Sequence, residues 1–300
     1  AFWGAVIIPV FLVLWIFLQP FIGSTRPGHQ LNIGFWWTLI AGSVALTLLA
    51  FSEDGANLRH SAALKEADWQ AGRVLSIVQE EGIPPAGAVT LLRKDNENRG
   101  RNLFAANCAS CHRYNGHDGR GYPVDDAQSA PELAGFASVE WITKLLNHEH
   151  YISEEYFGGT KFKNGTMARK VLAKYTAEEI ALLPRIARLL SDMAELPYQT
   201  PLSEDEREEL LALFYNDDLV FQDGLACIDC HDIDSEEEGY APDLTGYGSD
   251  EWTIAFLENP ENERFYGDEN DRMPCYGRDG KLTDEEIKIL SDWIRSRPSE

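Results

Sequence analysis

The 300-residue chain carries 49 acidic against 26 basic side chains, a formal net charge of −23. A field of that sign repels nucleic acid and anionic lipid headgroups and steers a basic partner, although the same acid also serves simply to keep an extrinsic region soluble. Five cysteines are too few for a disulfide framework, and the length predicts two domains with appendages.

The first elements in the chain are apolar. Phe2 to Phe21 and Leu31 to Phe51 contain no Asp, Glu, Lys or Arg, and each run has the roughly 20 residues needed to cross a bilayer as a helix. Trp3, Trp15, Trp36 and Trp37 suit interfacial or packing positions. The connecting loop, Gly23 to Gln30, carries Arg26, and the next full positive charge is Arg59. By the positive-inside rule this loop faces the cytoplasm, which places Ala1 and everything after Ser52 on the outer side. An outer start at Ala1 leads to the expectation that further helices precede it.

Glu53 to Asn98 read as a connecting region. Ala62 to Glu81 is predicted as a surface helix with Ala67, Val74, Leu75 and Val78 on one apolar stripe, stopped by the Pro84-Pro85 pair. A short apolar piece, Ala88 to Leu92, follows. The segment serves either as a docking spacer or as a solvated linker.

The stretch from about Asn98 to Pro197 holds Cys108-Ala109-Ser110-Cys111-His112. Two cysteines a helical turn apart and followed at once by histidine have the spacing that clamps haem through two thioethers while the imidazole binds iron. Gly116 to Tyr122 read as a loop beside the haem. In Ala130-Pro131-Glu132-Leu133 the proline carbonyl is placed to take the imidazole's free N–H. Met167, in a glycine-bearing loop, is the first choice of sixth ligand; Met193 on a predicted helix and His117, His148 and His150 in polar segments are its competitors. Thr176 to Glu179 form a capping box for the closing helix, with Pro184 inside it.

After a helix capped by Ser203 to Glu206, the plan returns with Cys227-Ile228-Asp229-Cys230-His231, Ala241-Pro242-Asp243-Leu244, Trp252, Met273 and Glu285. The landmarks keep their order across shorter loops, as in a tandem duplication. Beyond residue 200, His231 and Met273 are the sole histidine and methionine; Cys275 is the rival ligand, otherwise an unpaired thiol. The acidic runs Glu204–Glu209 and Asp232–Glu238 are solvated helix face or a docking patch. Joining Cys108, Cys111, Cys227 and Cys230 in one zinc tetrathiolate leaves the two following histidines unexplained.

The two motif-bearing stretches resemble class-I cytochrome c domains. Val6 to Val10, Leu18-Gln19-Pro20-Phe21, the Arg26-Pro27 turn and Trp37 to Gly42 resemble the last two helices of the C-terminal half of cytochrome b, which some bacteria fuse to cytochrome c; that family's Pro-Glu-Trp-Tyr quinol motif is absent here. The architecture expected is all-α: a transmembrane helical hairpin (1–55), a linker (56–98) and two tandem cytochrome c domains (99–198 and 199–300). The resemblance implies two covalently attached haem c groups, on Cys108, Cys111, His112 and Met167 and on Cys227, Cys230, His231 and Met273. It further implies an integral protein of the bacterial inner membrane with its haem domains in the periplasm. Electrons would pass from cytochrome b and Rieske iron-sulfur subunits to a soluble or oxidase-bound acceptor, with no independent catalytic site. Two other roles fit the same features, a dihaem subunit of a cbb-type haem-copper oxidase and a dihaem peroxidase.

Overall fold

Of the two charge-free runs, Ile8 to Phe21 and Leu31 to Phe51 are helical. The computed structural model describes residues 8–216, 226–234 and 240–296. Trp3, Val6 and Ile7 of the first apolar run, and Ser235 to Glu238 of the acidic run, lie outside the described residues. The chain divides into two compact units, Ala1–Ser61 and Ala62–Glu300.

In the first unit α1 (Ile8–Ile22) and α2 (Arg26–Ala56) form a hairpin. The Gln19 and Asn32 amides exchange two hydrogen bonds, 2.8 and 3.2 Å, and the Trp15 and Phe35 rings lie 4.2 Å apart. Polar pairing of this kind holds helices together where apolar faces alone give no preference over lipid. The turn is shorter than Gly23–Gln30, because Thr25 caps α2 through the Gly28 amide and Pro27 fits the first helical turn. Gly28 is required there, since a Cβ would fall 1.7 Å from the Ile22 carbonyl oxygen. At 31 residues α2 is long and apolar enough to cross a membrane; it continues past Phe51 through Glu53 and Asp54.

The second unit is also helical, with no strand among the described residues. Its helices are α3 (Leu58–Glu81, begun in the first unit), α4 (Val89–Lys94), α5 (Asn96–Asn107), α6 (Val139–Leu146), α7 (His148–Tyr151), α8 (Ala177–Met193), α9 (Glu204–Tyr215), α10 (Asp250–Glu258) and α11 (Asp284–Arg295). Serine or threonine side chains cap α6, α8, α9, α10 and α11, and full capping boxes start α8, α9 and α11. α8 runs on through Pro184.

The apolar stripe expected on α3 is not its buried face. Val74 and Val78 are half-buried and Ala67 and Leu75 exposed, whereas the fully buried residues are Ala62 and Glu66. Glu66 reaches Arg101 of α5 at 2.7 Å, the Arg101 guanidinium lies 3.8 Å from the centre of the Trp69 ring, and Arg73 pairs with Asp95 at 2.7 Å. An ion pair with a stacked aromatic replaces the apolar seam, and spacing of apolar residues cannot register that. The segment is therefore packed on α5 rather than a free tether.

The helices do not sort by repeat. α5 packs on α11 of the other repeat rather than on α8 of its own: Gly100 lies so close that a Cβ would stand 2.5 Å from Trp293 Cβ. The Trp293 ring is 5.3 Å from Phe104 and 4.5 Å from Tyr114, and its indole N–H donates to Glu97 at 3.1 Å. α9 packs in turn on α8, where Arg185 pairs with Glu209 and Arg207 with the buried Asp192. Both apolar clusters are accordingly mixed. One joins Phe104, Cys108 and Tyr114 to Leu257, Tyr276, Leu290 and Trp293; the other joins Ile142, Tyr175, Ile186 and Leu190 to Leu210, Phe214 and Ile233. The equivalent turns of the two repeats meet where a Cβ on Gly248 (φ 72°) would fall 2.5 Å from that of Ala137 (φ 62°). Arg295 donates to the Gly248 and Ala194 carbonyls beside them, at 2.9 and 2.8 Å.

Candidate haem-binding site

Each Cys-x-x-Cys-His segment ends in a tight turn that returns its histidine amide to the first cysteine's carbonyl, His112 to Cys108 at 2.8 Å and His231 to Cys227 at 2.9 Å. In both repeats the next landmark is the proline carbonyl. His112 Nδ1 lies 2.7 Å from the Pro131 oxygen and His231 Nδ1 2.8 Å from that of Pro242. A carbonyl can only accept, so the proton sits on Nδ1 and the Nε2 lone pair is left for a metal. Burial lowers both imidazole pKa values, against the opposing pull of the proline carbonyls. Both rings are thereby neutral near pH 7, the form that ligates.

The proline loop is fixed the same way twice. Trp141 Nε1 donates to Glu132 O at 2.7 Å, and Trp252 Nε1 to Asp243 O at 3.1 Å. The Leu133 amide reaches Arg113 O and the Leu244 amide Asp232 O, both at 2.9 Å. The collinear motifs thus share hydrogen bonds as well as order. The repeats differ at one flank, where buried Arg113 donates to the Ala109, His112 and Asp126 carbonyls and the second copy has Asp232.

Both histidines open on one cavity of about 900 Å³, at the upper end of what ligand sites enclose. Cys108, Cys111, Cys227, Met167 and Met273 line it with Leu133, Leu146, Leu244, Trp252 and Tyr276, whereas Cys230 is not among its lining residues. Burial pushes the Cys108 and Cys227 thiols up, to about 12 and about 11. Such thiols sit in apolar surroundings.

The structure brings all four ligating residues expected by sequence to this cavity, but in crossed company. Met273 packs on the cluster that holds Cys108 and Tyr276, and the Tyr276 hydroxyl donates to Asn107 O, next to Cys108, at 2.6 Å. Met167 packs on the cluster against which Cys227 lies, and Tyr175 hydrogen-bonds with Cys227. Nothing in a Tyr-x-x-x spacing marks either tyrosine in advance. The methionine loops also touch one another: Lys161 Nζ meets Glu269 at 2.8 Å, Arg272 donates to Gly159 O at 3.3 Å, and the Phe162 and Tyr266 rings are 5.1 Å apart.

The rivals are placed elsewhere. Met193 is a partly buried core residue. His117 accepts the Gly119 and Gly121 amides through Nδ1, at 3.0 and 3.3 Å. His148 and His150 lie in α7, capped by Asn147, and Cys275 is buried. The Gly116–Tyr122 loop, expected beside the haem, packs on the helices: a Cβ on Gly119 would fall 2.8 Å from the Phe104 ring and 3.1 Å from that of Trp293. Among the described residues no three His, Cys, Asp or Glu side chains converge as a metal cage.

Paired cysteines beside a neutral, carbonyl-oriented imidazole on an apolar cavity define a covalent haem site on an all-helical fold, the chemistry of an electron-transfer haem protein. The chain belongs to the cytochrome c family, whose model matches residues 97–183 and 218–298. No curated protein and no solved structure matches it.

Proposed function

We propose that the chain is a membrane-anchored dihaem c-type cytochrome that relays electrons from a Rieske and cytochrome b quinol-oxidising complex to a soluble or oxidase-bound acceptor. Cys108, Cys111 and His112 hold one haem, Cys227, Cys230 and His231 the other, and Met167 and Met273 supply the sixth ligands. The observation that carries the reading is the duplicated histidine–proline carbonyl pair opening on one cavity. Haem bound there supplies a one-electron couple, whose potential thioether ligation raises.

The protein's own part is orientation and exclusion. The proline carbonyls hold the Nδ1 protons and fix the ring planes, Trp141 and Trp252 brace the proline loops, and the apolar walls keep water from the ligating atoms. α2, of bilayer-spanning length, supports the anchor, and its likeness to the end of cytochrome b supports the source of electrons. The acid-rich surface suits a basic acceptor.

Purification from membranes in mild detergent tests the whole reading. The expected result is two covalent haems per chain, with cytochrome b and Rieske subunits in the same particle and reduction by a quinol. A particle built around a haem-copper oxidase would refute the assignment of donor, and a haem that binds added peroxide or carbon monoxide without ligand loss would refute the relay.

A further inference from the structure

We propose that the two irons are closed by exchange between the repeats, His112 sharing its iron with Met273 and His231 with Met167. The inference rests on the reading that both motifs hold haem, and adds which ligands belong together. Collinearity pairs each histidine with the next methionine in its own repeat. The packing pairs them otherwise.

Three independent sets of contacts agree on the crossing. α5, which leads into Cys108, lies on α11 with Gly100 against Trp293 and Arg99 bound to Glu285 at 2.6 Å. Tyr276, three residues after Met273, is hydrogen-bonded to Asn107 and shares a buried cluster with Cys108, while Leu257 and Ile294 complete that wall. On the other side α9 lies on α8, Tyr215 donates to Ile233 O at 2.8 Å, and Tyr175 binds Cys227. The chain crosses over where Ala137 and Gly248 touch. Helices α5 and α11, with Leu257 and Tyr276, thus wall the first motif, and α6, α8 and α9 wall the second, where Trp252 and Phe265 join them.

Exchange keeps every interface a cytochrome c repeat needs, since each motif still meets a helix pair, a proline loop and a methionine loop. It also explains why the methionine loops meet. Lys161 and Lys163 precede Met167, whereas Asp268, Glu269 and Asp271 precede Met273, and the Lys161–Glu269 pair and the Lys161 amide bond to Asp271, 3.4 Å, join the two.

Paired ligand deletions in the full detergent-solubilised chain read the pairing directly, through the ferric methionine–iron charge-transfer absorption counted per chain. Met273→Ala, Met167→Ala and His112→Ala alone should each halve it. His112→Ala with Met273→Ala should remain at one half, because both changes fall on one iron; His112→Ala with Met167→Ala should abolish it. The opposite pattern in the two double variants would overturn the exchange, and so would unchanged absorption in both methionine variants. A wild-type chain without two covalent haems would sink the haem reading itself, which separates the two failures.

A second measurement does not depend on those variants folding. A protease site placed between Tyr198 and Pro201, in the connection from α8 to α9, leaves the cut pieces interlocked if the repeats are exchanged. Size-exclusion chromatography should then show one particle holding both fragments and both haems. Two separable fragments, each with a six-coordinate haem, would overturn the proposal.

Discussion

Substituting Gly100 by alanine sets two known effects against each other on one helix. The residue lies inside α5, where alanine is favoured over glycine by about 1 kcal/mol on backbone entropy alone. Against this, the new Cβ would stand 2.5, 2.6 and 2.9 Å from Trp293 Cβ, Cγ and Cδ1, while carbon atoms settle at about 3.5 Å or more. The nearest atom is a Cβ, which no rotamer change removes, so α5 and α11 must separate by about 1 Å. Overpacking of that order costs about 1–3 kcal/mol. The net is a loss of about 0–2 kcal/mol. Gly72 of α3 is the internal control, because a Cβ there meets nothing within 4 Å, and Gly72→Ala should stabilise by about 0.5–1 kcal/mol. Guanidinium unfolding followed by far-ultraviolet circular dichroism gives both values. A Gly100→Ala protein as stable as Gly72→Ala would refute the α5–α11 contact.

Gly248→Ala combines a left-handed φ of 72° with a Cβ 2.5 Å from that of Ala137; a loss of about 2–4 kcal/mol is expected from strain and overpacking together, checked by the same titration. Glu66→Ala leaves the buried Arg101 guanidinium without its carboxylate and should cost about 3 kcal/mol, whereas Glu66→Ala with Arg101→Met should recover most of it; equal stabilities of the single and double variants would show the pair to be solvated. Asp95 titrates below the usual carboxylate range: burial acts to raise its pKa, but the hydrogen bonds from Arg73 and the Asn98 amide outweigh it. A lowered folded pKa contributes stability above the unfolded value of 3.8 that is lost as pH falls through the folded one. The stability gap between wild type and Asp95→Asn should therefore narrow on acidification below about pH 4, and a gap constant down to pH 3 would exclude the linkage.

What could be read in advance was what local chemistry decides. The attachment motifs, the proline carbonyls, the capping boxes at Thr176 and Ser203 and the second apolar helix each depend on residues close in sequence. The packing of α5 on α11 was not legible, because duplication makes the repeats' surfaces alike: α8 and α11 are both amphipathic helices begun by capping boxes, and only tertiary contacts such as Gly100 on Trp293 and Arg99 with Glu285 select between them. The α3 face was missed for another reason, since Glu66, Trp69 and Arg101 bury charge against an aromatic plane. Tyr175 and Tyr276 gain their place from tertiary contact alone.

The placement of α11 against α5 sets an order for making the molecule. Contacts such as Trp293 to Glu97 and Arg99 to Glu285 span most of the second unit, and pairings so distant in sequence slow folding. A chain emerging from its N-terminal end completes the wall around Cys227 once Phe265 and Tyr266 are made. The first attachment motif, although made earlier, stays open until the last helix arrives. The site encoded second is thus the first to be enclosed, and truncation of the C-terminal helix would expose the apolar lining around Cys108 while leaving the Cys227 side intact.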